Sequence, residues 1–172
     1  MRRALLYLCL GLLVVTTVGS AKAGPKGDTI VDVVIQANSS GPYAGMFDTL
    51  IAALQAADPS VLATLSGNGQ FTVFGPTDDA FSNLGLDDSN IGTVPQNVLT
   101  DILLYHVARG RRDAADVTTS SQIRTLYREF LSVSGAQLTD TQGRTANIIV
   151  TDVEAANGLI HVIDEVVLPF AI

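Results

Sequence analysis

An α+β fold is predicted by three observations. Helical spacing of apolar residues fills the first part of the chain, strand-like runs fill the last part, and the two do not alternate as a parallel α/β sheet requires. The chain has 172 residues, 47% of them hydrophobic and only 16% charged, which supports one folded core and excludes global disorder. Ten basic residues against 17 acidic ones give a formal charge of −7, so the phosphate-neutralising surface that nucleic-acid binding needs is missing. The absence of Trp and an aromatic content of 6% also disfavour a platform for stacking bases or sugars.

The N-terminus predicts export. Arg2 and Arg3 precede an almost wholly apolar stretch from Ala4 to Val18, and small residues follow around Ala21-Lys22-Ala23. This is the order of a secretory signal peptide, residues 1–23, cleaved after Ala23, and the apolar stretch is shorter than the roughly 20 residues needed to cross a bilayer. The expected product is secreted, periplasmic or extracellular, without a transmembrane anchor after cleavage. Losing Arg2, Arg3 and Lys22 leaves seven basic residues against 17 acidic ones, a formal charge of −10. Cys9, the one cysteine, leaves too, so the exported chain is expected to lack a disulfide, a thiol nucleophile and a thiolate metal site.

Residues 24–27 read as a short polar lead-in, and one domain is expected over 28–172. Asp28 or Thr29 caps a first helix carrying Ile30, Val31, Val34 and Ala37 at helical spacing and stopping near Asn38. After the turn at Ser39-Ser40-Gly41-Pro42, Phe47, Leu50, Ile51 and Leu54 mark the inward stripe of a second helix. Asp58-Pro59 supplies a cap followed by proline at the first helical position, opening a third helix through Val61, Leu62 and Leu65.

Gly67-Asn68-Gly69 breaks the chain before a buried strand at Gln70–Phe74. Thr77 then caps a helical turn, with Asp78 and Asp79 at its positive end. A further helix runs from Pro95 to about His106, with Ile102, Leu103 and His106 inward. Strands are expected around 130–133, 146–150 and 159–163. Asn157-Gly158 predicts a hairpin turn with positive φ at both central residues.

Chemistry-bearing patterns are sparse. His106 and His161 lie in separate apolar segments, far from any His-Glu-x-x-His pattern, and neither a Gly-x-Ser-x-Gly elbow nor a Walker loop is present. His106 with Asp101 or Asp164 could form an acid–base pair in space, but a neutral histidine on a packed face more often serves the core. Asp78-Asp79 and Asp87-Asp88 are explained by helix-start electrostatics and a solvated loop rather than by a cation site. Asn38-Ser39-Ser40 matches an N-glycosylation acceptor.

Three segments in order resemble the fasciclin domain family: Phe71–Phe81 with its Pro76-Thr77-Asp78 turn, Ile102–Val107 with Tyr105-His106, and the closing stretch Asn157–Pro169. The resemblance spans essentially the whole chain after residue 23 and implies a β-wedge or sandwich packed against several helices. Thr77, Asp78, Asn157, Gly158 and His161 are then structural motif positions. Tyr105 and His106 are partner-binding candidates, because this region contributes to cell-surface receptor binding in some adhesive members. The residues alone favour the reading in which both lock the helix against the sheet, since they continue its apolar face. Gly75 replaces an alanine common before the Pro-Thr-Asp turn, and Leu126-Tyr127-Arg128-Glu129-Phe130 lacks a glycine often found before the middle strand. The expected function is non-catalytic adhesion, binding a cell-surface or matrix protein with no cofactor. The alternatives are carriage of a small apolar ligand such as a carotenoid or lipid, and an enzyme using His106 or His161.

Overall fold

The computed structural model describes residues 26–172. The expected signal peptide and Cys9 lie outside the described residues.

The helices form where capping and apolar spacing agree. In α1 (Ile30–Ser39), Thr29 accepts from the Asp32 N–H while the Asp32 carboxylate accepts from the Thr29 N–H, a reciprocal cap for an N-terminus that would otherwise have unpaired donors. α3 (Pro59–Leu65) starts as expected, with Asp58 accepting from Ser60 N–H at 2.8 Å and proline in the first turn. α2 (Asp48–Ala56) follows Phe47, whose side chain can accept nothing, and its cap comes from elsewhere. Asn38 Oδ1 accepts from Phe47 N–H at 2.9 Å, and the Asp78 carboxylate accepts from Asp48 N–H at 3.1 Å and Thr49 N–H at 2.8 Å. Three segments are therefore tied at one helix start.

Seven strands make one mixed sheet in the order β2-β1-β7-β6-β5-β4-β3. These are β1 (Phe71–Pro76), β2 (Val107–Arg109), β3 (Gln122–Arg124), β4 (Phe130–Ser134), β5 (Gln137–Thr139), β6 (Thr145–Ala155) and β7 (Gly158–Ile163). β1 and β7 pair in parallel; every other neighbouring pair is antiparallel. Both parallel strands are buried along their whole length, which is why they read as continuous apolar runs. Alternate side chains enter two cores. Val73, Ile160 and Val162 face the helices with Ile30, Leu50 and Leu103, whereas Phe74 and Ile163 join Tyr105, Ile123, Leu131 and Leu138 on the other face.

The two ends of the sheet meet. Ala108 bridges Thr125, and Leu126 N–H donates to the Val107 carbonyl at 2.7 Å, so β2 and β3 approach and the sheet becomes a nearly closed, barrel-like wedge. This is an α+β architecture, with α5 (Gln96–Tyr105) feeding directly into β2 and so carrying Tyr105 and His106 into the wedge. The remaining helices are short: α4 (Asp78–Ser82), capped by Thr77, and α6 (Ala114–Thr119), capped by Asp113.

One expectation about the backbone needs correction. The final hairpin forms, but its loop is Ala156-Asn157, with Ala155 paired to Gly158, and among the described residues neither Asn157 nor Gly158 has positive φ. Gly158 is required by close approach instead: a Cβ there would overlap the Phe71 carbonyl oxygen of the neighbouring strand. Asn157 is required by its side chain. Its Oδ1 accepts from Ile30 N–H at 2.8 Å, and its Nδ2 donates to the Leu65 and Gly67 carbonyls at 2.6 and 3.0 Å. A buried amide thus joins the start of α1, the end of α3 and the hairpin.

Candidate functional site

Tyr105 and His106 end α5, and both are buried, at 0% and 2% exposure. The Tyr105 hydroxyl donates to the Phe130 carbonyl at 3.0 Å and accepts from Thr141 N–H at 3.3 Å. Burial, more than the nearby Asp140 charge, pushes its phenol up to about 12, so it remains a donor. Tyr127 meets the Tyr105 ring edge-on, with centroids 6.2 Å apart.

His106 is held through both ring nitrogens. Nδ1–H donates to the Ile102 carbonyl at 2.8 Å, and Nε2 accepts from Val167 N–H at 3.2 Å, an arrangement that assigns the neutral, Nδ1-protonated tautomer. Burial lowers its pKa to about 4, outweighing the Ile102 hydrogen bond and the Asp140 charge, which both act the other way.

The residue that completes this centre is Asp140, which has no local pattern to announce it. Its carboxylate is buried at 6% exposure, accepts from Gln142 and Arg144 N–H at 2.8 and 2.9 Å, and accepts from Leu168 N–H at 2.9 Å. Thr141 Oγ1 donates to the Pro169 carbonyl at 2.9 Å. His106, Asp140 and Thr141 therefore pin consecutive main-chain groups of Val167–Pro169 across the wedge.

His161 belongs to a second point of attachment. It is fully buried and stacked on Phe74 with centroids 5.7 Å apart. Nε2–H donates to the Arg112 carbonyl at 2.9 Å, and Nδ1 accepts from Asp152 N–H at 3.3 Å. Asp152 itself adopts φ +59° within a β6 bulge, and its Oδ1 accepts from Ala114 N–H at the start of α6.

The acid–base pairs considered from sequence do not assemble. Asp164 accepts from the main chain and side chain of Asn147 at 2.7 and 2.9 Å, and neither His106 nitrogen contacts Asp164 or Asp101. Asp87 caps its own loop through Ser89 and Asn90, and the Ser89 side-chain hydrogen bond contributes most to lowering its pKa. Asn38, in the segment that matches an N-glycosylation motif, uses its Nδ2 to donate to Asp48 at 2.7 Å. Two voids, one of them beside His106, measure about 20 Å³ each, room on the order of one water. Neither void is large enough for a carotenoid, since ligand pockets run to roughly 300–1,000 Å³.

A helix delivering a buried Tyr-His pair into a nearly closed wedge, beside a parallel pair of buried strands, defines a non-repeating α+β module of the fasciclin type. The Fasciclin domain family matches residues 45–169, and the chain belongs to that family. It is 40% identical to Protein sll1483 of Synechocystis over 131 residues, covering 72% of this chain and 67% of that one. Immunogenic protein MPB70 of Mycobacterium bovis is 34% identical over 156 residues, covering 87% of this chain and 78% of that protein. The cell surface glycolipoprotein MPB83 of the same species is 33% identical over 141 residues, with 80% of this chain and 61% of that protein covered. Among solved structures, the domain pair of the insect cell adhesion molecule fasciclin I shares the fold at a TM-score of 0.57 and 22% identity. This chain spans 45% of that structure and 72% of its own length in the match.

Proposed function

We propose that the chain, once residues 1–23 are removed, is a secreted, non-catalytic adhesion module that binds a cell-surface or matrix protein through its exterior. The carrying observation is that both imidazoles spend both ring nitrogens on main-chain partners inside the core. The family, a cell-surface relative and a structural neighbour from an adhesion molecule support the same reading.

Tyr105 and His106 serve this function as positioning residues. The Tyr105 hydroxyl fixes the main chain of Phe130, a residue that is 46% exposed and lies opposite Arg124 in the β3–β4 register. An exposed aromatic on a rigid strand beside arginine has the composition of an interface hot spot. Labelled protein titrated onto intact cells and onto extracted envelope or matrix proteins is expected to bind saturably. Phe130→Ser is expected to weaken that binding at least about tenfold without lowering the melting temperature, as loss of a hot-spot aromatic does. Absence of saturable binding, or binding unchanged by Phe130→Ser, contradicts the proposal.

Carriage of an apolar ligand is supported by a different observation, an open groove of about 450 Å³ lined by Leu84, Leu86, Val94, Val98 and Phe170. Solvent extraction of natively purified protein distinguishes the two: carotenoid or lipid in stoichiometric amount favours carriage, and its absence favours adhesion.

A further inference from the structure

Seven basic residues lie within the described chain, and four of them, Arg109, Arg112, Arg124 and Arg128, line one open pocket of about 440 Å³ together with Thr125 and Leu126. Acidic residues outnumber basic ones overall, yet none of these four guanidiniums forms an ion pair among the described residues. The two arginines that do are elsewhere: Arg111 with Glu154 and Arg144 with Glu165. Glu129, exposed and next to Arg128 in sequence, pairs with none of the four.

The cluster is a product of barrel closure, and three features of it oppose stability. The Ala108–Thr125 bridge, continued by one residue in the antiparallel sense, sets Arg109 opposite Arg124 on the outer face, and like charges directly opposite repel. The Arg112 Nε–H is buried without an acceptor, a position that costs its desolvation until an anion arrives. Arg128 closes the turn from Thr125 with its N–H donating to the Thr125 carbonyl at 3.1 Å, and it does so at φ +77°, in the left-handed region that glycine occupies without strain. An arginine there is strained by the backbone it sits on, which points from the outlier to a use for the side chain.

We propose that this pocket binds the sulfate or phosphate ester groups of an anionic polysaccharide chain. Guanidinium forks match tetrahedral oxyanions bidentately, and four of them facing one opening suit several such groups in succession rather than one. The protein's net charge decides the shape of the ligand. An anionic membrane presents a broad plane that would also meet the rest of a chain in which acidic residues outnumber basic ones, whereas a narrow chain can enter the pocket alone. Leu126 is the one apolar side chain in the lining and no aromatic ring joins it, so nucleobases have nothing to stack on. This goes beyond adhesion to a protein and does not depend on it.

Calorimetric titration of the purified protein with a short heparin oligosaccharide tests the proposal, at low and at physiological salt. Inorganic sulfate, inorganic phosphate, single-stranded DNA and phosphatidylserine vesicles are the comparison ligands. The expected result is saturable oligosaccharide binding that weakens with salt and falls at least about tenfold in Arg109→Ser/Arg124→Ser and in Arg128→Gly, as lost charged hydrogen bonds imply. Arg128→Gly is also expected to melt at a higher temperature than the unaltered protein, because it relieves the backbone strain. Lys26→Ser, an exposed site that loses one positive charge as Arg128→Gly does, is expected to stay within about twofold. No saturable binding, an equal loss in Lys26→Ser, or binding of any comparison ligand as tight as that of the oligosaccharide overturns it.

Discussion

His106 is the residue on which the solution behaviour of the fold turns. Its pKa is about 4 in the folded chain against 6.5 for a free imidazole, so between those values the unfolded chain takes up a proton that the folded chain refuses. The contribution is therefore full above about pH 6.5 and is lost as the pH falls toward 4. The loss amounts to about 3 kcal/mol over that window. Protonation also places a hydrogen on Nε2, facing the Val167 N–H, and breaks the bond to the C-terminal segment. Denaturant unfolding at successive pH values is expected to show this slope, and His106→Gln is expected to flatten it by a comparable amount; identical slopes would contradict the assignment.

Among the elements, α2 shows how far a helix can depend on residues distant in sequence. Its own N-cap position holds Phe47, and Asp78, thirty residues on from Asp48, accepts from its first N–H groups. Asp78→Ala is expected to cost about 1–2 kcal/mol in urea unfolding, the loss of a helix cap. Asp79→Ala, which removes a carboxylate from the same turn but makes no such bond, is expected to cost less. The Pro-Thr-Asp turn was recognisable in the sequence and Thr77 was readable as the cap of α4, but the second helix that Asp78 serves was not, because capping across elements leaves no local spacing. Element lengths explain the other gaps. α1, α2, α3 and α5, and the strands β1, β4, β6 and β7, carry enough periodic residues to be read from sequence, whereas β2, β3 and β5 have three residues each and α6 has six. At Asn157-Gly158 the hairpin was legible for a reason that does not hold: packing and a buried amide, not turn dihedrals, demand those residues.

At the scale of the whole molecule, closure of the wedge generates what sequence reading missed. Arg109 and Arg112, at and after the end of β2, converge with Arg124 and Arg128, at and after the end of β3, because β2 and β3 meet at Ala108 and Thr125. A trace of this was visible, since five of the seven basic residues after position 23 fall between Arg109 and Arg128. Asp140 likewise acquires its role only when Leu168 is brought to it. Tyr105-His106 was recognisable by residue type and its inward orientation by the apolar face it continues, while the main-chain groups it holds in place, those of Phe130 and Val167, were not.

With two histidines in the chain, ¹⁵N NMR of the imidazole rings across pH tests the internal placement of His106 most directly. The expected spectrum shows His106 as the neutral Nδ1-protonated tautomer throughout neutral pH, still unprotonated at pH 5, with slowly exchanging ring hydrogens. A His106 ring that titrates near 6.5 with fast solvent exchange would place it at the surface and contradict the account.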